Sequence, residues 1–186
     1  RCVVHSTFHT DVPTCEYDIV IDPKMAFGTG HHSTTSLIMQ QLLDMDMEGA
    51  SVMDVGTGTG ILAILASMRG AKEVTGIEID PPAYENAIEN VALNHVENIR
   101  LILGDASALD EFAAGYADVL TANINRNVIT ADIGRYARVL KTGGRMMLSG
   151  FYVHDIPVVM EAASKYGLSE IGHTELKDWA CLILAK

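Results

Sequence analysis

A chain of 186 residues, 48 % of them hydrophobic, is long enough to bury one sizeable core and reads as a single domain. Its formal net charge of −11 repels phosphate backbones, so no direct nucleic-acid contact is expected, whereas a basic protein partner would be attracted. No apolar run nears a membrane span and no signal-peptide pattern opens the chain; the 3 cysteines form no C-x-x-C pair, which argues against a disulfide framework or zinc cluster and fits a reducing cytoplasm.

The chain opens on Arg1, as a fragment or processed chain does, and residues 1–22 read as an N-terminal edge segment or linker. Within them Tyr17, Ile19 and Ile21 alternate with Asp18, Val20 and Asp22, the period of an edge strand. A glycine loop follows, Ala26-Phe27-Gly28-Thr29-Gly30-His31-His32-Ser33-Thr34-Thr35, whose hydroxyl residues are placed to cap a helix carrying Leu37, Ile38, Leu42 and Met45. An apolar strand at residues 52–55 then runs into Gly56-Thr57-Gly58-Thr59-Gly60. Alternate glycines there let backbone N–H groups lie against a ligand, and the apolar run from Ile61 to Ala66 supplies a helix behind the turn.

Residues 74–77 form the next strand and end in Glu78-Ile79-Asp80. An acidic side chain about 20 residues past such a turn accepts hydrogen bonds from ribose hydroxyls, which assigns that role to Glu78. Beyond it come a proline-started helix at 82–94 with Ala83, Ala87 and Val91 on one side, and a strand Ile99–Leu103 that ends in Gly104-Asp105-Ala106. A strand at 118–122 delivers Asn123 to the ligand crevice, a helix at 128–140 closes on the turn Lys141-Thr142-Gly143-Gly144, and a strand follows at 145–148. A helix near 156–166 precedes two β runs, 168–175 and 179–184, whose short connector makes them antiparallel. The whole is α/β: a seven-stranded, mostly parallel sheet with an antiparallel C-terminal pair and helices on both faces.

Other chemistries find less support. Ile61 stands where a dinucleotide fingerprint wants glycine or alanine. The adjacent His31 and His32 have no carboxylate or cysteine at a metal-binding interval, so no metal is expected, and Ser149-Gly150 lacks the elbow of a hydrolase nucleophile. The G-x-G-x-G spacing resembles S-adenosylmethionine-dependent methyltransferases more than NAD-binding domains.

From about Asp22 onward, the chain resembles the bacterial methyltransferases of the eleventh protein of the large ribosomal subunit. The glycine loop Ala26 to Thr35 is similar to that family's AFGTGTHPTT signature, and the acidic second-strand end and Asn123-Ile124 match its other marks. Departures fall at His31 (usually Thr), Ser33 (Pro), Glu78 (more often Asp) and Asn125-Arg126 (often Leu-Ala). The resemblance implies a Rossmann-like class I fold and S-adenosyl-L-methionine as cofactor. It implies cofactor contacts from Thr35, Gly56, Glu78 and Asn123, with Phe27, Gly28, Thr29 and Gly30 shaping the pocket around the methionine end. It also implies a large-subunit ribosomal protein as substrate, docked by an N-terminal domain that is not in this chain.

The expected site further includes Thr57, Gly58, Gly60 and Ile79 around the turn, Asp54 fixing the turn or receiving the cofactor's amino group, and Asp105 or Ala106 at the adenine edge. Asn123 holds the neutral target amine, while bulk water or His32 takes its proton. Three other readings stay open: a same-fold methyltransferase for a small molecule, another protein or RNA; a nicotinamide-dependent oxidoreductase; and a non-catalytic cofactor-binding module.

Overall fold

The computed structural model describes residues 1–24 and 32–186. Strands β1 (Cys2–His5) and β2 (Tyr17–Val20) form a small parallel sheet of their own, off the main one. The chain then runs through α1 (Ser33–Asp44), β3 (Ser51–Val55), α2 (Ile61–Met68), β4 (Glu73–Glu78), α3 (Pro81–Leu93), β5 (Ile99–Leu103), a 3-10 turn, β6 (Ala117–Asn123) and α4 (Arg126–Val139). It ends with β7 (Leu140–Tyr152), a second 3-10 turn, α5 (Ile156–Ser164), β8 (Ser169–Leu176) and β9 (Trp179–Ala185).

The seven-stranded sheet has the order β5-β4-β3-β6-β7-β9-β8, parallel from β5 to β7 and antiparallel beyond. Alternation along the central strand divides the core: Met53 and Val55 belong to the cluster under α4 and α5, whereas Val52 belongs to the cluster under α1 and α2. From β3 the chain builds outward to β4 and β5, then returns to lay β6 on the other side. That reversal opens a crevice at the carboxyl ends of β3 and β6. The β8–β9 hairpin turns through Lys177 and Asp178 alone, both at positive φ (51° and 67°), the conformation that follows the twist of its strands.

Three local expectations need correction. The cap of α1 is His32, whose side chain accepts from the Thr34 N–H, while the hydroxyls of Thr34 and Thr35 lie buried inside the first turn. Helix α4 begins at Arg126, two residues early, because the Asn125 side chain accepts from the Val128 N–H at 3.0 Å and caps it. Residues 141–144 do not separate helix from strand. They belong to β7, which pairs with Ala117 at its start and slips register before Val119 pairs with Arg145.

Helix α3 carries an unforeseen feature. Asn86, Asn90 and Asn94, four residues apart, face alternate residues of the segment that leads out of β2. Asn94 Oδ1 accepts from Val20 N (2.9 Å) and its Nδ2 donates to Val20 O (2.7 Å). Asn90 Oδ1 accepts from Asp22 N (3.0 Å), and Asn86 donates to Asp22 O (2.8 Å) and accepts from Lys24 N (3.4 Å). Four helical residues rise about 6 Å, close to two residues of extended chain, so the amides imitate a neighbouring strand. Asn90 Nδ2 also donates to Thr59 O at 2.9 Å, which ties this segment to the glycine turn.

Candidate functional site

A cavity of about 870 Å³ occupies the crevice, a size suited to a nucleotide-sized ligand. The glycine turn forms its floor. Gly56, at φ +74°, and Thr57 both donate their N–H to Ile77 O (2.8 and 2.9 Å), which folds the end of β3 back against β4. Glu78, only 8 % exposed, accepts from Gly58 N at 2.8 Å and from Asp80 N at 3.0 Å, one bond on each carboxylate oxygen. Each oxygen keeps a second lone pair, so the fixed carboxylate can still accept from a diol in the cavity.

The third strand end closes one side. Gly104 N donates to Glu78 O (2.8 Å), and the exposed Asp105 carboxyl is held below its ordinary range by the Ser107 hydroxyl (2.5 Å) and N–H (2.9 Å). Ile79, 68 % exposed among the described residues and just past the end of β4, is an apolar part of the cavity wall. Opposite, Asn123 Nδ2 donates to the buried Thr35 Oγ1 at 3.2 Å, so helix α1 and strand β6 meet at the cavity.

Asp54 and Gly60 do not line it. Asp54 lies 1 % exposed beneath the turn, where Oδ2 accepts from the Thr57 hydroxyl and Oδ1 from the Thr121 hydroxyl, each at 2.7 Å. It fixes the turn and has no face to offer a ligand's amino group. Gly60, at φ +86°, starts α2 and turns toward Ala87 of α3. Burial raises the Asp54 carboxyl from 3.8 to about 6 against the two hydroxyl bonds, with the Glu78 charge adding to the rise. A raised carboxyl favours the fold in its protonated form: this contribution is full below the unfolded value near 3.8 and is lost as pH rises through about 6. Asp54→Asn, which still partners both hydroxyls, is therefore expected to gain roughly 2–3 kcal/mol relative to the parent between pH 4 and pH 7. Urea denaturation of both proteins across that range measures the difference.

His32 lies at the rim. Its Nδ1 accepts from Thr34 N (3.3 Å) beside Thr34 Oγ1 (2.8 Å), and its ring meets Trp179 edge-on at 5.1 Å. With Nδ1 accepting from Thr34 N, a neutral ring carries its hydrogen on Nε2. Phe27, Gly28, Thr29 and Gly30 lie outside the described residues. Sequence reasoning missed Trp179, stacked on Tyr152 at 4.2 Å, and Gly150, together with Val128, Asp132 and Tyr136 along α4. The sole tryptophan, placed at the start of the last strand, was the available signal for the first of these. Among the described residues no three His, Cys, Asp or Glu side chains are grouped to hold a metal ion, and no helix is long and apolar enough to cross a membrane.

A family model described as ribosomal protein L11 methyltransferase (PrmA) matches residues 1–186, so the likeness extends upstream of Asp22, beyond the reach of the sequence motifs. The ribosomal protein L11 methyltransferases of Phocaeicola vulgatus and Bacteroides fragilis are 51 % and 52 % identical over 182 residues, which cover 98 % of this chain and 64 % of theirs. The chain thus spans less than two thirds of the length of these relatives. The crystal structure of a ribosomal protein L11 methylase from Lactobacillus delbrueckii subsp. bulgaricus matches with a TM-score of 0.89 at 28 % identity, covering 100 % of this chain and 94 % of that one. Aeropyrum pernix fibrillarin shares the fold, with a TM-score of 0.66 at 20 % identity over 81 % of this chain and 73 % of its own. The sheet is that of the Rossmann-like methyltransferases. On this sequence likeness, the chain belongs to the ribosomal protein L11 methyltransferase family.

Proposed function

We propose that residues 1–186 act as the catalytic unit of an S-adenosylmethionine-dependent methyltransferase whose acceptors are amino groups, lysine side chains or the N-terminus, of a large-subunit ribosomal protein. The observation that carries the reading is the Glu78 carboxylate, held in the cavity by Gly58 and Asp80 N–H groups beside the glycine turn. It suits a ribose diol. Ile79 and Val128 supply apolar surface for a base, and Asp105 and Ala106 lie at the third strand end to meet its edge. Bound there, S-adenosylmethionine supplies a methyl group activated by the sulfonium charge.

The chain's own residues do the aligning. Orientation of a nucleophile against an electrophile lowers barriers by roughly 7–11 kcal/mol, and we assign the orienting of the amine to Asn123, whose side chain is tethered to Thr35. The amine must arrive neutral, since an ammonium has no lone pair. His32 is committed to capping α1, so the proton leaves to water. The net charge of −11 favours encounter with a basic acceptor protein.

Calorimetric titration with S-adenosylmethionine, with NAD in a parallel run, tests the reading. Saturable micromolar binding of S-adenosylmethionine alone is expected, followed by methyl incorporation into ribosomal protein L11. Binding of NAD alone, or of neither, overturns it.

A further inference from the structure

Helix α4 turns Val128, Asp132 and Tyr136, each four residues apart, toward the cavity beyond Asp105 and Ala106. Tyr136 is 0 % exposed, and its hydroxyl has no hydrogen-bond partner among the described residues. A buried hydroxyl left in that state costs free energy that a ligand atom can return. Asp132 is half-buried, with one oxygen 3.5 Å from an Arg135 guanidinium nitrogen. Burial raises its carboxyl above the ordinary range; Arg135 opposes the rise, and the charge of Asp105 adds to it, so the two carboxylates feel each other at this end of the cavity.

We propose that Tyr136 and Asp132 select the base of the bound nucleoside, the Tyr136 hydroxyl donating to adenine N7 and the Asp132 carboxylate accepting from the adjacent 6-amino group. This rests on the S-adenosylmethionine reading and deepens it. Adenine presents exactly one acceptor beside one donor on that edge, and a hydroxyl and a carboxylate on successive turns of one helix form the complementary pair. A 6-oxo purine would instead set an oxygen against the Asp132 and Asp105 carboxylates and be rejected.

Calorimetry with S-adenosylhomocysteine and its 7-deaza analogue, on the full chain and on Tyr136→Phe, tests the assignment. The parent is expected to bind the 7-deaza analogue about 10-fold more weakly. Tyr136→Phe should lose about the same factor on S-adenosylhomocysteine and no longer distinguish the two ligands. Its thermal midpoint without ligand should equal or exceed that of the parent, because the deleted hydroxyl has no partner to lose. That opposition, weaker binding with undiminished stability, is not the signature of a merely structural tyrosine.

Should Tyr136→Phe fail to fold, Asp132→Asn carries the test. An amide can donate to a 6-oxo group, so this variant should relax the parent's preference for S-adenosylhomocysteine over S-inosylhomocysteine by about 10-fold. Binding of S-adenosylhomocysteine with no 7-deaza discrimination, or an unchanged base preference in Asp132→Asn, overturns the assignment and leaves the methyltransferase reading standing. No binding of S-adenosylhomocysteine by the parent sinks both.

Discussion

Gly150→Ala is expected to cost about 3–5 kcal/mol of folding free energy, a large share of what a domain of this size has to lose. Gly150 sits at φ +97° where β7 passes under the loop after β6. A Cβ there would be driven onto the carbonyl oxygen of Ile124, with the carbonyl carbon at 2.7 Å and the nitrogen at 3.0 Å. These are backbone atoms, and Ile124 N is itself bonded to Ser149 O at 3.1 Å, so neither strand can yield without breaking the pairing that places Asn123. Two other glycines at positive φ separate the clash from the backbone strain. Gly143, at φ +84° with none of the described residues within 4 Å of its Cβ position, should lose only the left-handed penalty of about 1–2 kcal/mol. Gly56, at φ +74°, would meet the Ile124 side chain at Cγ2, 2.5 Å away, so relief takes a χ1 change of that side chain but no backbone shift. Gly56→Ala should therefore fall between the other two. Urea denaturation of the three alanine variants checks the order; a Gly150 variant no weaker than the Gly143 variant would show that the loop after β6 is free to move.

The sheet was legible in the sequence because its strands are short apolar runs bounded by glycine and polar punctuation, and buried parallel strands leave that trace. Glu78 was legible for a related reason: its distance from the glycine turn is fixed by one helix and one strand. The antiparallel tail followed from a connector too short for a crossover. What escaped lay in pairings between distant parts of the chain. Asn86, Asn90 and Asn94 gave no signal because their partner is a segment more than 60 residues upstream. Trp179 forms the cavity wall only because β9 inserts between β7 and β8, an order that periodicity does not encode. Tyr136 shares its helix with the buried Ile129 and Ile133, so its apolar body masked a hydroxyl that the core leaves unmatched. His32 read as one proton acceptor beside bulk water, and its cap on the backbone of α1 through Nδ1 was not foreseen.

Asn123→Ala is expected to lower turnover on the ribosomal acceptor by on the order of 10²-fold while changing S-adenosylmethionine affinity by no more than about 3-fold. The asymmetry follows from what the amide touches. Its Nδ2 is spent on Thr35 Oγ1, which leaves Oδ1 as the acceptor available to an incoming amine. Thr35→Val should remove the tether while keeping the amide, and so produce a smaller loss of turnover, about 10-fold. Asn123→Asp separates holding an amine from charging it. A carboxylate at this position would stabilise the ammonium form of the acceptor and raise its pKa, so the rate should be recovered only at higher pH. Rapid-quench rates and calorimetric affinities for the three variants, with a pH profile for the aspartate, decide the matter. If affinity falls as far as turnover in Asn123→Ala, the residue contacts the cofactor alone, and the amine must be oriented by another residue of the cavity lining.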